Sequence, residues 1–111
     1  MKSLNLTVDV SKLELSEEDK KRTPEDISAK VIENIILVYA QQKRGLDARE
    51  RKQFYGIKQT LDNAIKNNIS VVELDDTDGG FIKTCFREAR TMPNDLMKQI
   101  EQNIENMAFH K

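Results

Sequence analysis

The densest group of chemically active side chains is the acidic segment Asp75-Asp76-Thr77-Asp78-Gly79-Gly80. Alternate carboxylates followed by glycine are typical of a calcium loop, which has glycine at the sixth position and a bidentate glutamate at the twelfth. Neither register fits, because Gly79 as the sixth residue makes Cys85 the twelfth, and Gly80 makes Phe86 the twelfth. The segment therefore predicts a turn that caps a helix, and we expect no metal or other cofactor.

The one cysteine, Cys85, is the second candidate for catalysis. A cysteine nucleophile needs a general base within hydrogen-bonding reach, and the one histidine, His110, lies next to the last residue. Cys85 falls in an apolar stripe, where cysteine usually acts as a small buried hydrophobe. Because phosphate-binding loops, dinucleotide fingerprints and nucleophile elbows are missing from the sequence, we predict that the protein is not an enzyme. A hydrolase with a carboxylate site is the enzymatic alternative, and it would need a deep pocket with perturbed acids.

Basic residues cluster around a predicted turn between two helices. The stretch 43–58 holds six cations against Asp47 and Glu50, which gives a net charge of +4. Three interpretations of this patch are open: it binds the phosphates of a nucleic acid, it contacts a protein partner, or it is only a solvated charged surface. Tyr55 is the main nearby aromatic that we expect to be exposed for base stacking. The six cations are Lys43, Arg44, Arg49, Arg51, Lys52 and Lys58.

The composition is that of one small folded domain. Among 111 residues, 38% are hydrophobic, and 18 basic side chains nearly balance 19 acidic ones, so that overall charge selects no partner. The longest apolar run, from Ile35 to Ala40, is far shorter than the roughly 20 residues of a membrane span. One cysteine fits a reducing compartment. We expect a cytoplasmic single domain over 1–111 with no signal peptide, in which 1–22 is a mobile or partner-exchanged arm.

The spacing of apolar side chains predicts an α+β fold that is mainly α. Thr23 and Pro24 begin a central helix that Gly45 ends, while Asp47 and Glu50 begin the next helix with a capping box. The short connection predicts an antiparallel helical hairpin. Alternation near the N-terminus and again after the second helix predicts a small two-stranded sheet. The predicted helices span 24–44, 47–67, 78–91 and 94–108, and the predicted strands span 4–10 and 69–74.

The apolar stripes of the helices are the predicted contact surfaces. The central helix carries more large apolar positions than we expect its neighbours to cover, and the fourth helix adds methionines, which adapt to binding surfaces. The basic stretch 43–58 and the acidic stretches 14–19 and 73–78 could also meet across a subunit contact. Gly56, inside the second helix, predicts a close helix crossing. The predicted interface residues are Ile32, Ile36, Tyr39, Met97, Ile104 and Met107.

Five segments in a fixed order suggest a relationship to a known kind of protein. An alternating arm is followed by Thr23-Pro24-Glu25-Asp26, by the run from Gly45 to Arg51, by the run from Val71 to Asp78 with Phe81-Ile82-Lys83, and by a terminal helix after Pro93. This layout, which covers most of the chain, resembles that of small bacteriophage-type accessory or structural proteins. The resemblance implies a virus-encoded protein that acts by contact in the host cytoplasm or the virion, and it transfers no functional residues.

Two functional hypotheses follow. The first is a non-enzymatic protein that binds another protein, or assembles with itself as a homo-oligomer, through its helical faces. The alternative is a small nucleic-acid-binding regulator that uses the basic stretch 43–58. Neither function requires a membrane.

Overall fold

The computed structural model describes residues 2–11 and 15–109, which form helices packed on one face of a small antiparallel sheet. The predicted class, α+β and mainly α, is confirmed. The helices of the described residues are α1 (Pro24–Gln42), α2 (Ala48–Lys66), α3 (Asp76–Glu88) and α4 (Asp95–Glu105), and the strands are β1 (Lys2–Asn5), β2 (Val71–Leu74) and β3 (Ala108–Phe109). A 3-10 turn, Asp19–Lys21, precedes α1.

The start of α1 is the one that the sequence predicts. Thr23 Oγ1 accepts a hydrogen bond from the Asp26 N–H at 3.2 Å, and Pro24 occupies the first helical position. The helix ends two residues before the predicted boundary, because Arg44 (φ 65°) and Gly45 (φ 115°) have left-handed backbone conformations. Gly45 N–H donates to Ala40 O at 2.6 Å and so satisfies a carbonyl of the last turn.

The pairing of α1 with α2 confirms the antiparallel hairpin. The predicted capping box is present, with Asp47 and Glu50 each accepting from the other's backbone N–H. Close to the connecting turn, Lys43 Nζ lies 2.8 Å from Glu50 Oε2. About two helical turns further along, Lys58 of α2 lies beside Glu33 of α1. Both contacts join α1 to α2, and the second lies farther from the connecting turn along each helix. The two helices therefore run in opposite directions.

The third helix lies earlier in the chain than predicted. Asp75 Oδ1 accepts from the Asp78 N–H at 2.7 Å, so that α3 begins at Asp76 rather than at 78. It ends at Glu88 rather than at 91, because the backbone of the next residue is already extended. The Arg90 N–H then donates to the side chain of Gln42 on α1 instead of to a helical carbonyl.

The sheet confirms one predicted strand pairing and adds a strand that was not predicted. β1 is central and pairs antiparallel with β2, with Leu4 opposite Val72, and also with β3. The prediction that the last helix reaches 108 is wrong. α4 ends at Glu105, Asn106 forms its C-cap, and the chain turns back so that Ala108 lies opposite Ser3.

The N-terminal strand is shorter than the alternating pattern suggests. β1 ends at Asn5 rather than at 10, although Leu6 and Val8 remain buried as the alternation requires. Beyond the strand, Asp9 N–H donates to Gln99 Oε1 at 2.7 Å, and Gln99 Nε2 donates to Asp9 O at 2.9 Å. These backbone groups are satisfied by a side chain of α4, so that no further strand is needed.

The predicted N-terminal arm, residues 1–22, is described in two parts. Residues 2–11 lie against the chain's own β2 and α4, with Asn103 Nδ2 donating to Thr7 O at 3.0 Å. Residues 15–22 contain the 3-10 turn. Residues 1 and 12–14 lie outside the described residues.

One hydrophobic cluster forms the core, with α1 in contact with the other three helices. Burying a large aliphatic side chain completely contributes about 1.5–3 kcal/mol, so this cluster is the main source of stability. The largest fully buried aliphatic side chains are Leu4, Leu6, Ile32, Ile36, Ile57, Leu61, Ile82, Ile100 and Ile104.

Candidate functional site

The residues predicted to form a partner interface lie mainly in the core. Ile32, Ile36, Ile104 and Met107 are buried by their own chain. Tyr39 and Met97 are half-buried and pack against the same cluster. The wide stripe of α1 is covered because α2, α3 and α4 all contact it. Four of these six residues are therefore enclosed by their own chain, and the other two are only partly accessible.

Three of the six predicted basic-patch residues have interactions within the chain. Lys43 Nζ contacts both carboxylate oxygens of Glu50 at 2.8 and 2.9 Å, and this contact raises the pKa of Lys43. Lys58 Nζ lies 3.3 Å from Asp62 Oδ2. The Arg51 guanidinium donates to the Leu46 carbonyl at 2.6 Å. The contact of Lys43 with Glu50 joins α1 to α2, and the carboxylates beside Lys43 and Lys58 reduce the net charge of the patch.

The other three basic residues are exposed and have no ion pair or hydrogen bond from their side chains to any residue that the structure describes. Arg44 lies in the turn, and Arg49 and Lys52 lie on α2. Their nearest acids in sequence, Asp47 and Glu50, are engaged in the capping box. The net positive charge predicted for 43–58 is therefore concentrated on these side chains and Arg51.

An open groove of about 600 Å³ lies where the C-terminal ends of α1 and α3 meet. Lys43 lines one side of this groove. Its Nζ lies 5.0 Å from the centre of the Tyr39 ring and makes a cation–π contact with it. The groove offers hydroxyl and charged groups but no cysteine or histidine among its described lining residues. These residues are Tyr39, Gln42, Lys43, Thr84, Glu88 and Arg90.

The acidic segment 75–80 serves the fold, as its sequence predicts. Asp75 caps α3, and burial raises the pKa of Asp78 above its usual range. A Cβ at Gly79 would lie 3.0 Å from Lys2 Cδ, so a larger residue at this position would require the Lys2 side chain to shift. Within the described residues, no three metal-ligating side chains lie together.

Cys85 is completely buried in the core. Burial raises the pKa of its thiol to about 12, so that the thiol is protonated at physiological pH. His110, the base that a cysteine nucleophile would need, lies outside the described residues. Cys85 therefore acts as a core side chain.

Charged side chains converge in a groove of about 310 Å³ between α1 and α2. Its floor includes Glu33, of which only 8% is exposed, and burial raises the pKa of this carboxyl. Glu33 Oε1 has no hydrogen-bond donor among the described residues, and they leave it no solvent access. A general acid must reach its substrate, so this oxygen is unsuited to acid–base catalysis. The lining residues are Arg22, Asp26, Ala29, Lys30, Glu33, Asp62, Ile65 and Lys66.

β2 forms one edge of the sheet, and its backbone bonds to β1 use alternate residues. Leu6 N–H donates to Ser70 O at 2.8 Å. In an antiparallel ladder the hydrogen-bonded pairs recur every two residues, so Val72 and Leu74 are the β2 residues whose backbone groups face β1. Their side chains are buried under the helices.

The intervening residues of β2 present a free edge. The backbone N–H and C=O groups of Val71 and Glu73 point away from β1, and no described residue bonds them. Val71 is 49% exposed, and Ile69, on the same side of the chain, is 44% exposed. Glu73 accepts a hydrogen bond from Ser3 Oγ at 2.9 Å. We call Ile69, Val71 and Glu73 the β2 edge.

The β2 edge was not predicted from the sequence as a contact surface. The alternation of Val71, Val72, Glu73 and Leu74 was a sufficient signal for a strand with one buried face. The predicted two-stranded sheet already leaves one side of β2 unpaired, but the sequence does not show whether another segment of the chain covers that side.

Comparison of the chain with protein-family models, with curated proteins and with solved structures found no match. Function is therefore inferred from this chain's own residues, and the resemblance to bacteriophage-type proteins stays a prediction. In the described part of the chain, every helix is too short or too polar to cross a bilayer.

Proposed function

We propose that this chain is a non-enzymatic protein that acts by protein–protein contact, and that it associates with a second copy of itself through the β2 edge. The observation that carries the proposal is the pair of outward-facing backbone units at Val71 and Glu73. An unpaired strand edge is a template for another strand. Two exposed β-branched side chains beside these groups add apolar area to such a contact.

The β2 edge is compatible with two-fold pairing. Two copies of one strand can pair antiparallel about a two-fold axis, in which each surface contacts its own equivalent. With Val71 opposite Glu73 of the second copy, the two outward-facing units form hydrogen-bonded pairs on both sides of the axis. This register also keeps the two Glu73 carboxylates from lying directly opposite each other, which would be unfavourable.

The length of β2 sets the expected strength. Four residues give a small interface, well below the area of a standard stable complex, so we expect weak and concentration-dependent association. The predicted helical interface does not support this function, because four of its six residues are in the core.

Sedimentation equilibrium over a concentration series tests the proposal. The wild-type mass should rise from 12.8 kDa towards twice that value. Val71→Pro should remain at the chain mass, because proline removes an outward N–H that β1 does not use and is tolerated on edge strands. Val71→Thr, which retains the N–H, should still associate.

Two outcomes would contradict the proposal. One is a wild-type protein that keeps the mass of one chain at the highest concentration. The other is a Val71→Pro variant that is folded by circular dichroism and associates as strongly as the wild type. Leu37→Thr serves as the control for loss of an exposed apolar side chain elsewhere, on α1, and should leave association unchanged.

A further inference from the structure

The solvent-facing side of α2 carries a continuous stripe of cationic, aromatic and amide side chains. Arg49, Lys52, Tyr55 and Gln59 follow one another at intervals of three or four residues, so that consecutive members are neighbours and all four lie within about 120° of the helix circumference. All four are exposed, and at a rise of 1.5 Å per residue the stripe is about 15 Å long. We call these four residues the α2 stripe.

The positive charge of the α2 stripe is uncompensated within the described part of the chain. Arg49 and Lys52 have no ion pair or hydrogen bond from their side chains to a described residue, in contrast to Lys43 and Lys58. Arg44 adds a third such cation in the turn just before α2. Charge complementarity therefore favours an anionic partner on this side of α2.

Tyr55 distinguishes between kinds of anionic partner. It is 65% exposed, and its ring makes an edge contact with Phe54 at 6.0 Å between ring centres. Large exposed aromatic rings next to cations stack on unpaired bases while the cations contact phosphates. An acidic peptide would use the cations but would have no particular use for the ring.

Single strands fit the α2 stripe better than duplexes do. Ile57, Leu61 and Ala64 on the opposite side of α2 are buried, so the helix lies flat on the domain instead of projecting into a major groove. The bases of a duplex are stacked on each other and are unavailable to Tyr55. We propose that the α2 stripe binds single-stranded nucleic acid, with phosphates on Arg49 and Lys52 and a base stacked on Tyr55.

Fluorescence anisotropy of a labelled oligothymidylate, titrated with the full chain at low salt, tests this inference. Affinity should fall with salt with a log–log slope of about −1.4, as expected for two phosphates neutralised on a single strand. Tyr55→Ala should weaken binding about tenfold or more, whereas Tyr55→Phe, which keeps the ring, should bind like the wild type. The double variant Arg49→Glu, Lys52→Glu should abolish binding.

A matched control separates the α2 stripe from overall charge. The variant Lys21→Glu, Lys98→Glu makes the same change in net charge at two exposed lysines of other segments, and it should reduce affinity much less. All substituted residues are exposed, so thermal melts should confirm that each variant is folded.

Four results would overturn the inference. The first is no binding to the oligothymidylate at low salt, and the second is unchanged affinity in Tyr55→Ala. The third is tighter binding to a duplex of the same length than to the single strand. The fourth is equal affinity for polyglutamate, which would assign the α2 stripe to acidic polypeptides. None of these results depends on whether the β2 edge associates.

Discussion

Lys58 Nζ lies 3.9 Å from Glu33 Oε1, which is close enough for ionic attraction but too far for a hydrogen bond. Lys30 approaches the other carboxylate oxygen of Glu33 at 3.8 Å. Both ammonium groups are partly exposed, so each adds little stabilisation. Burial is the largest influence on Glu33 and raises the pKa of its carboxyl, which means that the fold disfavours the ionised form.

Glu33→Gln should therefore stabilise the protein at neutral pH by about 1 kcal/mol, since it removes a largely buried charge whose Oε1 has no donor among the described residues. The raised pKa in the folded state means that the contribution of Glu33 to stability falls as pH rises above its ordinary value of 4.5. The advantage of the glutamine variant should accordingly disappear in acid. Urea unfolding at neutral and acidic pH measures both effects.

Glu101→Gln is the control for this prediction, because Glu101 is an exposed glutamate in the interior of a helix, α4. The same chemical change there should alter stability by a few tenths of a kcal/mol at most. A glutamine at position 33 that destabilises the protein at neutral pH would show that the lysine contacts outweigh the cost of burial.

The second prediction concerns Gly56, which the sequence predicts to mark a close helix crossing. That interpretation is wrong, because a Cβ at this position would have only Asp78 Oδ2 near it, at 4.0 Å. Gly56→Ala should therefore gain the helix-propensity difference of about 1 kcal/mol. Thermal unfolding should record a rise of several degrees in the midpoint.

Gly45→Ala provides the opposite comparison. Apart from its chain neighbours, no described residue has an atom within 4 Å of its Cβ position, but its φ of 115° is a conformation that alanine rarely adopts. The same chemical change should lower the unfolding midpoint at position 45 and raise it at position 56. Equal effects at both positions would contradict the conformational explanation.

The third prediction uses the buried thiol of Cys85. Its pKa is about 12 in the folded protein against an ordinary value of 9.0, so unfolding is favoured progressively as pH rises from about 9 to about 12. At about pH 10 this effect should cost about 1 kcal/mol relative to neutral pH. Cys85→Ala should lower stability at both pH values but should show a smaller loss between them, as measured by urea unfolding.

A chemical measurement checks the same thiol independently. Native Cys85 should react with a thiol reagent only at the rate at which the protein opens, because it is both protonated and buried. Addition of denaturant should make the reaction complete within the mixing time. Rapid labelling of the folded protein would be inconsistent with the buried position.

The parts of the fold that the sequence predicts are those set by short-range chemistry. Thr23, Asp47, Asp75 and Asn94 each cap a helix by accepting from a backbone N–H three residues further on, so the signal and its effect lie within one turn. The apolar spacing likewise identifies which side of each helix is buried. Helix identity and most helix starts follow from these local patterns.

The parts that could not be predicted depend on contacts between distant segments. Ala108 belongs to a strand rather than to the last helix because Ser3 lies opposite it. The apolar character of Ile32 and Met107 does not reveal whether another segment of the chain or a partner protein covers them. In this fold both residues are buried by their own chain. For the same reason, only the folded chain shows that no described segment covers Val71 on the open side of β2.

The last prediction concerns Gln42, the last residue of α1. Gln42 Nε2 donates to Arg90 O at 2.8 Å, and Arg90 N–H donates to Gln42 Oε1 at 2.8 Å, so one side chain replaces the partners that a continued α3 would have supplied. Gln42→Ala should increase hydrogen–deuterium exchange at the Arg90 amide and lower stability by about 1 kcal/mol. Gln41→Ala, which removes a neighbouring exposed side chain with no such bonds among the described residues, should do neither. Unchanged exchange at Arg90 in the Gln42 variant would contradict this prediction. It would mean that other contacts hold the segment after α3, and that the two bonds with Gln42 do not determine where α3 ends.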